Sequence, residues 1–131
     1  MESCAFFGHH SVFARMEQLL RKTVIALMTK KDARAFYVGT HGEFDRMVYR
    51  VQKDISHIHD IVIYVVPAYI PGRDDKLYSP ADTIFPDGTK GVSPRFSVCY
   101  RNRFMMKKRT YVYLCNKSHR FGGGKVQRAG N

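Results

Sequence analysis

Hydrophobic residues along the chain fall into two patterns, short continuous runs and helical stripes. The continuous runs are rich in the aromatic and β-branched residues typical of buried strands, and they occupy residues 3–7, 35–38, 61–66 and 111–115. Apolar residues at i, i+3, i+4 and i+7 spacing predict helices over residues 12–28, 44–55 and 95–108. Strands and helices therefore alternate along most of the chain.

This alternation predicts an α/β fold with a parallel sheet that is covered by helices on both sides. We expect a Rossmann-like three-layer α/β/α sandwich with about four parallel strands. At 131 residues the chain is long enough for one hydrophobic core and one domain. Residues 67–94 contain five prolines and little periodicity, which is typical of a functional loop.

Polar turns follow the predicted strands, and these turns are candidate ligand contacts. In an open α/β sheet, ligands bind beyond the carboxyl ends of the strands, where the strand order reverses. If the order is 3-2-1-4, that point lies between the first and fourth strands. Helix N-termini there attract phosphates, and glycine allows a close approach of the backbone. The predicted contacts in the turns are Gly8, His9, His10, Gly39, Thr40, His41, Gly42, Gly122 and Gly123.

Two carboxylates begin the predicted second helix and are candidates for chemistry. Asp45 could accept a hydrogen bond from a ribose, or it could only stabilise the helix dipole. Glu43 could be a catalytic carboxylate, although glutamate is also ordinary at a helix start. No cysteine or carboxylate shares a metal-ligand spacing with the turn histidines, so we expect neither a metal nor a cofactor.

Basic residues are concentrated in the last third of the chain. The formal net charge is +11, and residues 1–87 contain 11 basic and 11 acidic residues. The other 11 basic residues lie within residues 88–131, which contain no acidic residue. Such a segment suits a nucleic acid or a small anionic ligand.

Cysteine usage and hydropathy indicate a cytoplasmic protein. Cys4 and Cys115 lie in strand-like runs and are predicted to be buried thiols, as expected in a reducing compartment. The first ten residues lack the pattern of a signal peptide. No apolar run approaches the roughly 18 residues that span a bilayer, so we expect no membrane partner.

Four motifs, taken in order, resemble those of a known family. They are Cys4-Ala5-Phe6-Phe7-Gly8-His9, then Phe36-Tyr37-Val38-Gly39 with His41-Gly42 and Phe44-Asp45-Arg46-Met47, then Asp82-Thr83-Ile84-Phe85-Pro86, and Arg101-Asn102-Arg103-Phe104-Met105. Over residues 3–106 the chain is similar to the YpsA-like branch of the SLOG superfamily, which is related to the lonely-guy (LOG) phosphoribohydrolases and the DprA-type proteins. The resemblance implies a nucleotide-binding parallel α/β sandwich in which Arg101 and Asn102 contact phosphate.

The chain departs from the family pattern in three places. His10 stands where the family usually has arginine, and Arg109-Thr110 stands where a pair containing aspartate is usual. Seven residues follow Gly124, too few for the family's closing helix and strand. The resemblance thus implies a SLOG-like domain over residues 1–117 that lacks its last α/β unit. Residues 118–131 are expected to be a divergent, poorly ordered tail, and the exposed sheet edge could support a homodimer.

Three functions follow from these observations. The leading hypothesis is a cytoplasmic protein, such as a sensor, that binds a nucleotide or a nucleotide derivative. The second is a phosphoribohydrolase-like enzyme that cleaves an N-glycosidic bond of a nucleotide with Glu43 or Asp45 as acid/base. It ranks lower because the glycine-rich PGGxGTxxE motif of the lonely-guy enzymes is absent. The third is weak, nonspecific nucleic-acid binding by residues 88–131, which lack a recognisable motif and have few interleaved aromatic residues.

Overall fold

The computed structural model describes residues 2–8, 14–40, 42–68, 78–86, 91–109, 111–115 and 124–128. These residues form an α/β fold with a five-stranded, mostly parallel sheet and three α-helices, an arrangement compatible with a Rossmann-like fold. In chain order the elements are β1 (Glu2–Phe7), α1 (Met16–Lys31), β2 (Ala33–Val38), α2 (Gly42–Ser56), β3 (Val62–Val65), α3 (Ser97–Lys108), β4 (Tyr111–Cys115) and β5 (Gly124–Arg128).

The strand order is β3-β2-β1-β4-β5, so the condition on which the switch point was located, the order 3-2-1-4 of the first four strands, is met. Strands β1 to β4 pair in parallel, whereas β5 pairs antiparallel with β4 and places Val126 opposite Tyr113. The prediction of about four strands is therefore one short. Strand β5 lies within the segment 118–131 that was expected to be a poorly ordered tail. It satisfies the edge of β4, whose unpaired backbone groups would otherwise favour pairing with another chain.

Strand β1 is buried on both faces of the sheet. Cys4 and Phe6 belong to a large hydrophobic cluster that includes residues of α1 and α2. Ala5 belongs to a second, smaller cluster with Met105 of α3 and Val112 of β4. Because successive side chains of a strand point to opposite faces, this alternation explains why the run at residues 3–7 is continuously apolar.

Aromatic rings fill the centre of the larger cluster. The Phe6 ring centroid lies 6.1 Å from that of Phe36 and 5.2 Å from that of Tyr113. Phe44, at the start of α2, stacks on Tyr113 with a centroid distance of 6.1 Å. All four side chains are fully buried, so the beginning of α2 is held against β1 and β4.

Helix α1 overlaps the helix predicted over residues 12–28 and buries a stripe of Met16, Leu20, Val24 and Leu27. Leu19, beside this stripe, is 41% exposed. The helix continues to Lys31 and ends at Asp32, which adopts a left-handed φ of 54°. The Asp32 N–H donates to the Leu27 carbonyl, which satisfies one of the helix's terminal acceptors. None of the helices that the structure describes is long and apolar enough to cross a bilayer.

Gln52 of α2 is a polar side chain within the core. It is fully buried, and neither its amide nitrogen nor its amide oxygen has a hydrogen-bond partner among the described residues. An unsatisfied buried amide costs about 1–3 kcal/mol of stability. Gln52 therefore weakens the packing of α2 on the sheet.

Substitution Gln52→Met should raise the free energy of unfolding by about 1–2 kcal/mol, because it removes the unsatisfied amide and nearly conserves the volume. Urea unfolding at neutral pH measures the change. Gln18→Met is the matched control, since Gln18 is exposed on α1 and the same substitution there should have little effect. Equal effects of the two substitutions would contradict the burial argument.

Candidate functional site

A crevice opens at the carboxyl ends of β1 and β2, where α3 crosses the sheet. Its volume is about 220 Å³, and we call it the strand-end crevice. Its walls combine strand-end residues, the first turn of α2 and the inner side of α3, namely Phe6, Phe7, Gly8, Gly39, Asp45, Val98, Arg101, Asn102 and Met105. No described residue of β4 lines it, so the crevice lies on the β2 side of the predicted switch point.

The side chain of Arg101 reaches from α3 across the end of β2. It is only 6% exposed, and its Nη1 donates to the Val66 carbonyl oxygen over 3.3 Å. Its Nε donates to Asn102 Oδ1 over 2.7 Å. Because a buried cation must be hydrogen-bonded, these contacts fix the guanidinium at the crevice.

The lack of a side chain at Gly39 leaves the space that the Arg101 guanidinium occupies. A Cβ at residue 39 would overlap Nη1 of Arg101 and would lie 2.7 Å from its Cζ. The same point is 2.8 Å from Oδ2 of Asp45, whose side chain is also buried. The guanidinium and the carboxylate therefore converge in the space that a side chain at residue 39 would occupy.

Gly8 has a similar steric role at the end of β1. A Cβ there would lie 2.5–2.7 Å from the ring atoms of Phe44. Gly8 and Gly39 were each predicted to allow a close approach of the backbone to a phosphate. In the structure, the space above each glycine admits a protein side chain, and those side chains shape the crevice.

The structure brings together five of the predicted contact residues, which are Gly8, Gly39, Asp45, Arg101 and Asn102. Thr40 and Gly42 lie between Gly39 and Asp45 in the sequence but do not line the crevice. Gly42 begins α2 with a φ of 90°. The other predicted contacts lie outside the described residues, namely His9, His10, His41, Gly122 and Gly123. Sequence reasoning missed Val98 and Met105, which form the apolar wall of the crevice and carry no chemical signal.

Glu43 lies apart from Asp45 and lines a different cavity. This second cavity has a volume of about 580 Å³ and runs along the outer side of α2, past Arg46, Arg50 and Lys53. Residues two apart on a helix point to different sides, which separates the two candidate carboxylates. An acid/base pair made from Glu43 and Asp45 in one site is therefore not supported by their placement.

The third motif of the resemblance docks onto α2. Asp82 lies in a 3₁₀ turn at residues 80–82, and its Oδ2 accepts a hydrogen bond from Tyr49 Oη over 2.8 Å. The same oxygen lies 3.0 Å from Lys53 Nζ. The Ser79 N–H in turn donates to Tyr49 Oη over 2.9 Å. These contacts, together with the Val65–Thr83 bridge, attach the segment 78–86 to α2 and β3.

Comparison of the chain with models of protein families, with curated proteins and with solved structures gave no match. The chemistry of the strand-end crevice therefore has to be inferred from its own groups, a guanidinium, a carboxylate, an amide and an apolar wall. Within the described part of the chain, no three His, Cys, Asp or Glu side chains lie together as a metal site would require.

Substitution Gly39→Ala should lower the free energy of unfolding by about 1–3 kcal/mol, because the new methyl group collides with Arg101. Chemical denaturation measures this loss. Gly91→Ala is the matched control, since a Cβ at residue 91 meets no atom within 4 Å. The loss should shrink in an Arg101→Ala background, and an equal loss in both backgrounds would contradict the steric explanation.

The contacts of Asp82 predict a pH dependence of stability. The hydrogen bond and the charge of Asp82 raise the pKa of Lys53 above its ordinary value of 10.5. Burial raises the pKa of Tyr49 above 10.0. A raised pKa means that the folded state favours the protonated form of each group. Their contribution to the free energy of unfolding is therefore complete below the ordinary pKa values, and it is lost as the pH rises through the folded-state pKa values.

Substitution Asp82→Asn should therefore lower stability at pH 8 by at most about 1 kcal/mol, since the Lys53 side chain is 36% exposed. The difference in stability between this variant and the wild type should become smaller above pH 10.5. Thermal unfolding at a series of pH values measures it. Asp60→Asn changes an exposed carboxylate outside the ion pairs of the described residues and serves as the control. A difference that stays constant with pH would exclude this linkage.

Proposed function

We propose that the protein binds a nucleotide or a nucleotide derivative in the strand-end crevice. The observation that carries this proposal is the convergence of a buried guanidinium and a buried carboxylate over Gly39, at the carboxyl ends of two parallel strands. Open α/β sheets bind their ligands at this end. A nucleotide carries an anionic phosphate and a ribose with hydroxyl donors, and the two charged groups of the crevice match these parts.

Arg101 is the group that suits a phosphate. Its planar guanidinium has five N–H donors in a fixed geometry, which matches the oxygens of a phosphate. Hydrogen bonds to Val66 and Asn102 hold it in place before a ligand arrives, which reduces the entropy lost on binding. The first turn of α2, close to the crevice through Asp45, adds the positive end of a helix dipole.

Asp45 is the group that suits a ribose. An ionised carboxylate only accepts hydrogen bonds, and a pair of ribose hydroxyls can supply two donors. Its buried side chain lies beside Arg101 over Gly39, which holds its oxygens at the crevice as fixed acceptors. This placement supports a binding role for Asp45.

The size of the crevice limits how much of the ligand it encloses. Pockets that bury a whole drug-sized ligand have volumes of roughly 300–1,000 Å³. The strand-end crevice has about 220 Å³, so it suits a phosphate with part of the ribose. The base would extend beyond the residues that line it.

A three-layer α/β/α arrangement and membership of the YpsA-like branch of the SLOG superfamily belong to the same proposal. The two hydrophobic clusters, which take alternate residues of β1, support helices on both faces of the sheet. Residues from three of the four motifs that carry the resemblance meet in the crevice, namely Gly8, Gly39, Asp45, Arg101 and Asn102. A cytoplasmic location is supported by the free thiols of Cys4 and Cys99.

Thermal unfolding with AMP, ADP, ADP-ribose, NAD and inorganic phosphate tests the proposal. A ligand that binds only the native state stabilises it by about 2.7 kcal/mol at a hundredfold excess over Kd, which raises Tm by several degrees. We expect at least one ribose-bearing ligand to do so. Absence of a shift with every ligand, in a folded sample, would refute nucleotide binding.

Substitution Asp45→Asn separates the two halves of the site. It should reduce the Tm shift with ribose-bearing ligands, because one of the two acceptor oxygens for hydroxyls is lost, and it should not reduce the shift with inorganic phosphate, because a negative charge beside Arg101 is removed. Asp60→Asn, at an exposed position, is the control. Release of free base from a nucleoside monophosphate, followed by chromatography, would instead favour the N-glycosidic enzyme.

A further inference from the structure

The outer side of α3 carries a groove that is distinct from the strand-end crevice. The groove has a volume of about 430 Å³ and is lined by Pro86, Tyr100, Arg103, Phe104, Lys107 and Lys108. The two cavities share α3 but no lining residue, because they lie on different sides of the helix. We call this second feature the basic groove.

The cations of the basic groove have no acidic partner among the residues that the structure describes. Arg103, Lys107 and Lys108 are exposed, and none of them takes part in a salt bridge among the described residues. Elsewhere in the described part of the chain, Arg21, Arg34, Arg50 and Lys53 each pair with a carboxylate. Since no acidic residue follows Asp87 in the sequence, the positive charge along α3 is uncompensated from within its own segment.

Aromatic rings are interleaved with these cations. Tyr100, Phe104 and Lys108 are spaced four residues apart and form one ridge of the helix, and Arg103 and Lys107 form the adjacent ridge. Lys108 Nζ lies 5.6 Å from the centroid of the Phe104 ring. The helical period thus brings Tyr100 and Phe104 beside the cations of α3.

The arrangement is unfavourable for the helix in isolation. Like charges at i and i+4, such as Arg103 and Lys107, destabilise a helix by a few tenths of a kcal/mol. The helix dipole stabilises Lys107 and Lys108, which lie in the last turn. It does not stabilise Arg103, because its effect is confined to the terminal turns. A polyanion would remove this repulsion and would explain why the charges lie together.

The geometry points to the basic groove as a binding site for single-stranded nucleic acid. The strand's phosphates would contact Arg103, Lys107 and Lys108, and a base would stack on the rings of Tyr100 or Phe104. Cations that follow a backbone, combined with aromatic platforms, are the features by which proteins hold single strands without reading sequence. An acidic peptide would match the charges but would leave the rings without stacking partners. This site is separate from the proposed nucleotide site.

Fluorescence anisotropy with the full chain and a short labelled oligo(dT) tests this inference. We expect a Kd of roughly 10⁻⁴ to 10⁻⁶ M that weakens with salt between about 50 and 200 mM, as counterions are released. Lys107→Ala with Lys108→Ala should weaken binding about tenfold at low salt. It should also make the slope of log K against log salt shallower by about 1.4, since each contacted phosphate of a single strand contributes about 0.7.

Lys30→Ala with Lys31→Ala is the matched control, because these exposed lysines occupy the last turn of α1 as Lys107 and Lys108 occupy that of α3. This control should bind as the wild type does, and Phe104→Leu should weaken binding at least about fivefold by removing a stacking ring. Equal losses in the two lysine variants would show a general charge effect and overturn the inference. Equal affinity for inorganic polyphosphate, which has no bases, would overturn it as well, as would the absence of binding at low salt.

Discussion

Burial of β1 on both faces of the sheet is the constraint from which the rest of the structure follows. Its neighbours β2 and β4 satisfy its backbone on either side, and its side chains alternate between two hydrophobic clusters. Helices must then cover those faces, because residues 4–6 of the strand are apolar on both sides of the sheet and would otherwise be exposed to water. Phe44 of α2 packs in the larger cluster and Met105 of α3 packs in the smaller one. Both side chains are fully buried.

The candidate site is a consequence of this packing at the strand ends. A glycine follows each of the strands β1 and β2. The space that a side chain would fill is occupied by Phe44 of α2 at Gly8 and by Arg101 of α3 at Gly39. These contacts attach α2 and α3 to the sheet and at the same time form the walls of the crevice. Structural and functional demands therefore coincide at Gly39, since the residue that allows Arg101 to be buried also places it beside Asp45.

Helix α3 carries one buried cation, Arg101, and several exposed cations. Arg101 faces the sheet, where its donors are hydrogen-bonded and its position is set. Arg103 and Lys107 face outward with no acidic partner among the described residues, so their charge acts over a longer range. One helix thus presents a buried, hydrogen-bonded cation to a small crevice and exposed cations to an open groove.

The sequence by itself determined the class of fold and the positions of the helices. The order of the strands was a condition in locating the switch point, and the structure decided it. Continuous apolar runs report burial directly, and β4 runs over the predicted residues 111–115. The apolar period located α3 but not its buried face, which carries Ser97, Arg101 and Met105. The residues of the strand-end crevice were also predicted in part, because turns at strand ends are local features. Only the tertiary structure decided the rest. Strand β5 has no apolar pattern of its own and exists because β4 offers an unpaired edge. Likewise, the partners of Gly39 and Asp82 lie far away in the chain, and no local pattern encodes which side chain will occupy a vacated space.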